Sequence, residues 1–478
     1  MAPWLTVLWH PAREAIGRCA ALPSRLSRLE PEFAAPGAAD TDDARAPLAD
    51  PHLSRTAIAL AALPGGGVRI AAPAIAELVV DGVPAGTVEL AAADLARGVV
   101  LELAGRVALL LQLRRPPRPP RTAELVGASD AIDRLLDDIA RVAALDAPVL
   151  IGGETGSGKE HVARAVHAQS GRATGPFVAI NMATLAPAMA AAQLFGHVRG
   201  AFTGAERAHT GLFGEADGGT LFLDEIVDAP AEVQAMLLRT LETGEVRPVG
   251  GDAARRIDVR VLAASDADLA DPAELRPQLY HRLAGARLTV PPLRDRPDDI
   301  GRLLAHFLAR ELAEPPAVAP GAAPWLPSDA IRAYVRHRWP GNVRELANLA
   351  RHLAIHGRAA PIALGTALAP LTGTAAPLEP APPLLPGGAP RDITDDALID
   401  ALARHAWRIA ATAEALGISR TTLYALIDRC PGIRKARDLA RDELEACRAA
   451  AGGDLDAMAA QLRVSRRGLL LRMRELGL

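Results

Sequence analysis

Hydrophobic and polar residues change their spacing twice along the chain, and each change predicts a different kind of structure. Residues 1–113 carry short apolar runs between Gly and Pro turns, the pattern of a small β-sandwich. Residues 123–358 alternate strand-like apolar runs with helical stretches, which is typical of a mostly parallel α/β sheet. From about residue 393 to residue 478 the pattern indicates short amphipathic helices. We therefore predict a multidomain chain with β, α/β and all-α parts.

The same pattern predicts individual strands and linkers. The predicted strands of the β part are residues 57–60, 67–70, 77–80, 87–90 and 99–113. Those of the α/β part are residues 148–151, 177–181, 220–223 and 259–263. Residues 114–122 hold four prolines among arginines and predict a stiff linker. Residues 359–392, rich in Pro, Ala and Gly, predict a second one.

Composition narrows the class of protein. The chain begins with no basic segment leading into an apolar stretch and has no run of about 18 apolar residues, so we expect a soluble, cytoplasmic protein without a membrane partner. Cys19, Cys430 and Cys447 lack metal-ligand spacing and are interpreted as structural. The net charge of -3 gives no overall attraction to nucleic acid, so any DNA contact must come from a local patch.

Lysine and asparagine are rare in this arginine- and alanine-rich chain, the bias of a GC-rich genome. The lysines are Lys159 and Lys435, and the asparagines are Asn181, Asn342 and Asn348. Where such a chain keeps these residues, we expect chemistry to require them.

One of those lysines completes a phosphate-binding loop. Residues 153–160 read GETGSGKE and lie between a predicted strand and a predicted helix. Backbone amides of such a loop turn toward phosphates, the helix terminus adds positive potential, and Lys159 reaches the β and γ oxygens. The predicted ATP-binding residues are Gly153, Glu154, Thr155, Gly156, Ser157, Gly158, Lys159 and Glu160. Glu160 stands where Ser or Thr usually binds Mg²⁺.

A second apolar strand ends in two carboxylates about 65 residues later. Residues 219–225 read GTLFLDE, as in a Walker B element. Asp224 is predicted to hold Mg²⁺ and Glu225 to polarise the attacking water. Together the two motifs predict an ATPase.

Between these motifs lies the hexapeptide GAFTGA. Its residues are Gly200, Ala201, Phe202, Thr203, Gly204 and Ala205. Here the sequence resembles the AAA+ activators of sigma-54 RNA polymerase, the bacterial enhancer-binding proteins. The resemblance runs from residue 124 to residue 346, nearly half the chain. It implies that this loop contacts sigma-54, above all through Phe202 and Thr203, and moves with the nucleotide state.

The resemblance also assigns roles around the ATP site. Glu160 is normal in this family. Asn181 matches an asparagine that holds the Walker B glutamate and links hydrolysis to loop movement. Arg276 and Arg282 match arginines that reach the γ-phosphate of a neighbouring subunit, and Arg344 matches the sensor arginine of a helical lid at about residues 296–358. Paired arginines of this kind imply a homo-oligomeric ring, with a hexamer favoured.

Asp266 departs from the family pattern. It ends the run VLAASD at residues 261–266, where relatives have Asn or His. We expect a carboxylate near the γ-phosphate to weaken nucleotide binding or slow hydrolysis through like-charge repulsion.

The all-α part carries a predicted DNA reader. Residues 409–424 read as helix, glycine turn and second helix, and residues 393–430 resemble a Fis-type helix-turn-helix. The predicted contacts to double-stranded DNA are Ser419, Arg420, Thr421 and Thr422. Residues 431–478 repeat the unit at an offset of 46, as a second DNA reader or a degenerate dimerisation unit.

The β part resembles forkhead-associated domains, which read phosphothreonine. The candidate phosphate-binding residues are Arg28, Ser54 and Arg55. Ala57 and Asp81 replace the usual histidine and asparagine, so the alternative is an interaction module that regulates the ATPase.

The leading hypothesis is an ATP- and Mg²⁺-dependent activator that binds DNA and remodels sigma-54 RNA polymerase holoenzyme. The main alternative is a DNA-binding AAA+ regulator that acts as a repressor or scaffold without remodelling. A helicase loader or other AAA+ chaperone is a more distant alternative, against which the GAFTGA loop and the Fis-like end argue.

Overall fold

A computed structural model describes most of the chain. The described residues are 1–35, 45–119, 121–122, 124–202, 205–266, 275–312, 324–358, 360–372 and 395–404, with nine more between 412 and 473. They fall into two units, Met1–Ala376 and Pro377–Leu478. Within these ranges no helix is long and apolar enough to cross a bilayer.

The first 114 residues form a β-sandwich, as predicted. Its strands are β1 (Ala2–Trp9), β2 (Cys19–Ala21), β3 (Arg25–Leu26), β4 (Phe33–Ala34), β5 (Arg45–Ala46), β6 (Ile58–Ala62), β7 (Val68–Ala71), β8 (Leu78–Val80), β9 (Val83–Pro84), β10 (Thr87–Leu90), β11 (Val99–Leu103) and β12 (Val107–Arg114), with helix α1 (Ala92–Arg97) before β11. One antiparallel sheet has the order β5-β4-β2-β1-β12-β11-β8-β9 and the other β10-β7-β6-β3. Apolar side chains of both sheets meet in one core.

Two features of this sandwich differ from the sequence prediction. The single strand expected at 99–113 is two antiparallel strands, because Ala104 and Gly105 take positive φ and reverse the chain. Nearly every residue of β11 and β12 is buried, so both faces of these strands are covered, which explains the unbroken apolar run. Strands β1 to β5 were not predicted at all; β1 pairs with β12 from Ala2 opposite Arg114.

A five-stranded, all-parallel sheet forms the core of the α/β part, which confirms the predicted α/β class. Its strands are β13 (Val149–Gly152), β14 (Phe177–Asn181), β15 (Thr220–Asp224), β18 (Arg260–Ser265) and β19 (Ala286–Thr289), in the order β14-β15-β18-β13-β19, with β16 (Glu245–Val246) and β17 (Arg255–Arg256) in a separate hairpin. Its helices are α2 (Asp130–Ala143), α3 (Lys159–Ala168), α4 (Pro187–Phe195), α5 (Gly211–Glu215), α6 (Ala231–Thr243) and α7 (Pro277–Leu283). Two apolar clusters cover the sheet. The predicted motifs follow the carboxyl ends of β13 and β15, where such sheets bind ligands.

The lid follows as four helices. They are α8 (Pro297–Glu311), α9 (Ser328–Arg336), α10 (Asn342–His356) and α11 (Leu364–Thr372); α12 (Asp395–Arg404) belongs to the second unit. Helix α11 lies in the stretch predicted to be a linker. Ala367 is buried against the lid, and its carbonyl accepts a hydrogen bond from Tyr334 Oη at 2.9 Å. The Ala- and Leu-rich end of that stretch therefore adds to the lid core.

The β-sandwich packs directly on the lid. Leu8, Trp9, Val100 and Leu110, from the face of the larger sheet that points away from the sandwich core, belong to the same buried cluster as the lid residues. The rings of Trp9 and Trp325 stack with centroids 6.1 Å apart. The two parts thus share one hydrophobic core.

Candidate nucleotide-binding site

The phosphate loop connects β13 to the first turn of α3. Gly156 takes φ of +74°, and a Cβ there would overlap the carbonyl of Gly341 in the lid. Only glycine combines this left-handed backbone with so close an approach. The loop therefore forms the predicted phosphate-binding turn and touches the lid.

Lys159 is buried at the base of this loop. Its Nζ donates to the Gly153 carbonyl at 3.0 Å and lies 3.4 Å from Glu225 Oε1. Ser157 Oγ is buried and has no hydrogen-bond partner in the described part of the chain. A buried ammonium and an unsatisfied hydroxyl inside a ring of backbone amides match the donors that a nucleotide phosphate requires.

Asp224 and Glu225 lie opposite Lys159, at the end of β15. Asp224 Oδ1 accepts the Glu225 amide at 3.1 Å. Glu225 has left-handed φ and ψ of 50° and 55°, a conformation that costs energy for a side chain with a Cβ and is common at active sites. Burial raises the pKa of both carboxyls, and for Glu225 the neighbouring Asp266 and Asp224 raise it further.

Asn181 reaches the Walker B carboxylates from the next strand, but its partner differs from the expected one. Asn181 Nδ2 donates to Asp224 Oδ2 at 3.4 Å, and Oδ1 accepts the Ala183 amide at 2.9 Å. Asn181 therefore contacts Asp224 rather than Glu225 in this structure, and its role toward Glu225 stays a prediction. The physical reason is register: Asn181 pairs with Asp224 across β14 and β15.

Asp266 lies inside the site, as its position in the sensor strand predicted. Its Oδ2 accepts Thr155 Oγ1 at 2.5 Å, and its amide donates to Glu225 Oε2 at 3.4 Å. The hydrogen bond from Thr155 holds the pKa of Asp266 below its usual range. Asp266 therefore ties the phosphate loop to the sensor strand and adds negative charge beside Glu225.

The lid closes the other side of the site. A cavity of about 270 Å³ is bounded by Lys159, Asp224, Glu225 and Arg344, among others. The amides of Val343 and Arg344 donate to the Gly156 carbonyl at 3.0 and 3.3 Å. Arg344 thus lies where a sensor arginine was predicted.

Two lid contacts were missed from the sequence. Asn342 is fully buried, and its Nδ2 donates to Glu154 Oε2 and to the Thr155 carbonyl, both at 3.1 Å. The rarity of asparagine in this chain was the available signal. Arg294 pairs with Glu154 at 2.6 Å and lowers the pKa of that carboxyl; nothing in the sequence distinguished it from other arginines.

The two predicted finger arginines do not border this cavity. Arg282 is exposed, and its guanidinium donates twice to the Leu241 carbonyl, at 2.7 and 3.1 Å. Arg276 is exposed ahead of α7, where its amide donates to Gln234 Oε1 at 3.0 Å. Neither arginine therefore contacts the nucleotide cavity of its own chain in this structure.

The GAFTGA hexapeptide lies in the connection between α4 and α5. Its described ends are closed by hydrogen bonds from the Gly200 amide to the Ala205 carbonyl at 2.8 Å and from the Ala205 amide to the Phe202 carbonyl at 3.0 Å. The half-buried Phe202 ring lies 5.0 Å from the His197 ring. Ala201 completes the described part, while Thr203 and Gly204 lie outside the described residues.

The three candidate phosphate-binding residues of the sandwich are only partly brought together. The Arg28 amide donates to the Ser54 carbonyl at 3.2 Å, and Arg28 Nε is buried with no partner within the described ranges. Ser54 borders a cavity of about 430 Å³ with Ser27 and Arg106, whereas Arg28 and Arg55 do not border it. The predicted DNA contacts, residues 419–422, lie outside the described residues.

These features define a P-loop ATPase with a helical lid. Three family models match the chain: the sigma-54 interaction domain over residues 125–289, the AAA+ ATPase lid domain over 294–368, and the bacterial regulatory protein, Fis family, over 390–428. The last includes the four predicted DNA contacts.

Individual relatives agree. The C4-dicarboxylate transport transcriptional regulatory protein DctD of Rhizobium meliloti (strain 1021) is 42% identical over 323 residues, 65% of each chain. The nitric oxide reductase transcription regulator NorR2 of Cupriavidus necator is 38% identical over 397 residues, 74% of this chain and 75% of that protein. A crystal structure of NtrX from Brucella abortus in complex with ATP is 34% identical, covers 65% of this chain and 70% of its own, and has a TM-score of 0.46.

The chain belongs to the family of sigma-54-dependent transcriptional activators. It spans slightly less than two thirds of the length of DctD.

Proposed function

We propose that the chain is an ATPase that binds DNA near promoters, assembles into a ring and uses ATP hydrolysis to remodel sigma-54 RNA polymerase. The observation that carries the proposal is the joint presence of an ATP site and an intact GAFTGA loop within one sigma-54 interaction domain. The Fis-family match supports binding of double-stranded DNA. Because the proposed substrate is polymerase bound to chromosomal DNA, we propose a cytoplasmic location for the chain.

The chain's own residues account for the hydrolytic chemistry. Lys159 neutralises the β and γ oxygens of ATP, and Glu225, once unprotonated, accepts a proton from the attacking water. The carboxylate donors of Asp224 suit Mg²⁺, which would supply charge neutralisation at the phosphates when bound. Arg344 contacts the phosphates from the lid.

Assembly follows from the exposed arginines. Because Arg276 and Arg282 lie away from their own site, we propose that they serve the ATP site of a neighbouring subunit. An arginine finger acting in this way contributes about 10³-fold or more to the rate. A closed ring, with a hexamer favoured, would give every site such a neighbour.

Asp266 favours a second candidate, a DNA-binding repressor or scaffold that does not remodel sigma-54. Its carboxylate accepts the Thr155 hydroxyl and its amide donates to Glu225, near the position where the γ-phosphate would be attacked. Phosphothreonine binding by the sandwich also stays a proposal; the unpartnered Arg28 Nε supports it, while the separation of Arg55 from the cavity does not.

The test measures ATP turnover by the purified chain across protein concentration. We expect specific activity to rise with concentration and to be lost in Arg282→Ala, but not in Arg134→Ala, which removes an exposed arginine of α2. Capture of sigma-54 in the presence of ADP and aluminium fluoride is the second measurement. Turnover without capture would favour the repressor or scaffold, and nucleotide binding without turnover would exclude the remodeller.

A further inference from the structure

The last residue of the β-sandwich contacts both the lid and the ATPase core, whose relative orientation shapes the ATP site. Arg114, the last residue of β12, is buried. Its guanidinium lies 3.0 Å from Asp298 Oδ2 in the lid, and it also donates to the Ala128 carbonyl at the start of the ATPase core. One side chain therefore contacts both lid and core.

The residues after Arg114 contact α2, the first helix of the ATPase core. The Arg115 amide donates to the carboxylate of Asp130, the first residue of α2, at 3.2 Å. Arg118 and Arg121 pair with Asp137 on the same helix at 3.0 and 2.7 Å. The predicted stiff linker is thus fixed along the core.

The sandwich also grips the lid at some distance from Arg114. Glu102, on β11, is buried and accepts Ser328 Oγ at 2.9 Å and Arg332 Nε at 2.7 Å, both from α9. Arg336 of α9 pairs with Asp81 at 2.6 Å. The shared core with Trp9 and Trp325 lies between these polar contacts.

Residues at the start of α8 connect the lid to the ATPase core and to the phosphate loop. Asp299 accepts the amides of Ala128 and Ser129 at 2.7 and 3.0 Å and the Ser129 hydroxyl at 2.6 Å. The buried Arg296 donates to the carbonyl of Ser157 in the phosphate loop at 3.1 Å. A shift of α8 relative to the core would therefore move groups at the nucleotide site.

We propose that the β-sandwich acts as a splint within the chain, fixing the lid to the core and so setting nucleotide affinity, with Arg114 as its positioning residue. The sandwich holds the lid through a buried surface and holds the core through Arg114 and the linker. Separation of the sandwich would leave the lid held only by its direct contacts with the core, such as those of Asp299 with Ala128 and Ser129, and the contacts of Asn342 and Arg344 with the phosphate loop would weaken. Nucleotide affinity would fall although no nucleotide-binding residue had changed.

Gly301 offers a variant that separates the sandwich without damaging the lid. It lies inside helix α8, and a Cβ there would overlap the carbonyl of Leu8 on β1. Alanine has a higher helix propensity than glycine. Gly301→Ala should therefore stabilise α8 itself while its methyl group pushes the sandwich away from the lid. Gly365→Ala is the matched control, because it places alanine in α11 with no atom within 4 Å of the new Cβ.

A second variant attacks the interface by charge. Arg332→Glu places a carboxylate against the buried Glu102. Because the Arg332 side chain is 32% exposed, its replacement leaves the lid core unchanged. Arg332→Lys retains the positive charge and is its conservative partner. Two unrelated changes at opposite ends of the interface guard against a local folding defect in one of them.

The experiment measures equilibrium binding of ADP to the full chain and amide hydrogen exchange in the first turn of α8. We expect Gly301→Ala and Arg332→Glu to weaken ADP binding about tenfold and to speed exchange there, with Gly365→Ala and Arg332→Lys unchanged. Unaltered ADP affinity in a variant whose exchange shows a separated sandwich would overturn the proposal. Unaltered exchange in both variants would also overturn it, because the interface would then not restrain the lid in solution.

Discussion

The lid makes two ion pairs of opposite character. Against the phosphate loop, beside the buried hydrogen bonds of Asn342 and Arg296, it makes the Arg294–Glu154 pair, whose side chains are 42% and 43% exposed. Against the β-sandwich it uses the Arg114–Asp298 pair, whose side chains are 3% and 5% exposed, beside a continuous apolar core. Water screens the first contact and is excluded from the second. The Arg114–Asp298 pair is therefore the stronger of the two ion pairs, and the Arg294–Glu154 pair is the one that a ligand can rearrange.

The largest test of this difference removes the buried cation. We expect Arg114→Ala to cost about 3 kcal/mol of stability, because it leaves Asp298 buried without its partner. Burial and the neighbouring Asp299 already raise the pKa of Asp298 to about 7. Without Arg114 that pKa rises further, so the folded state binds a proton that the unfolded state releases. The loss of stability should therefore grow as pH rises.

Urea unfolding at about pH 6 and about pH 8.5 checks this dependence. Arg115→Ala is the control, because the Arg115 side chain is exposed and only its backbone amide contacts Asp130. Equal losses for the two variants, or a greater Arg114→Ala loss at the lower pH, would contradict a buried and strong contact.

Substitution of Asp266 tests the electrostatics on the phosphate-loop side of this comparison. The negative charge of Asp266 raises the pKa of Glu225, and Glu225 accepts a proton only when it is unprotonated. Asp266→Asn should lower that pKa, so that ATP turnover persists to lower pH, and should change the maximal rate several-fold. The acid limb of the pH–rate profile is the measurement, with Asp252→Asn in the exposed hairpin as control. An acid limb that stays in place would show that Glu225 does not sense Asp266.

The smallest loss of stability is expected from removal of the solvent-exposed Arg294–Glu154 pair. Arg294→Ala removes the exposed partner of Glu154, which keeps its hydrogen bond from Asn342. We expect a stability loss below about 1 kcal/mol, measured by thermal unfolding beside Arg114→Ala. A loss as large as that of Arg114→Ala would remove the distinction between the two contacts.

The nucleotide site was largely predictable because its chemistry is local in sequence. A phosphate loop needs glycines and a lysine within eight residues, and Asp224 and Glu225 end a single strand. The contact of Asn181 with Asp224 was not predicted, because it depends on the register between two strands. The lid contact of Asn342 was signalled only by the rarity of asparagine.

The sandwich–lid contact could not be predicted in the same way. It joins β1 near residue 8 to α8 near residue 301, and no local pattern records so distant a pair. Glu102 and Arg114 look like ordinary polar residues at strand positions, although both are buried in ion pairs. The apolar run at 99–113 did contain a sign, since covering on both faces requires a second partner.

The shared core also bears on how such a chain can change over evolution. Domains joined by flexible linkers can be exchanged as cassettes, because few of their contacts cross the boundary. Here Leu8, Trp9, Val100 and Leu110 of the sandwich are buried in one hydrophobic core with residues of the lid. A replacement domain would leave that surface open to water and prone to aggregation unless it brought matching apolar residues. We therefore expect that exchange of the amino-terminal part at residues 114–122, without matching changes in the lid, gives a chain that folds poorly.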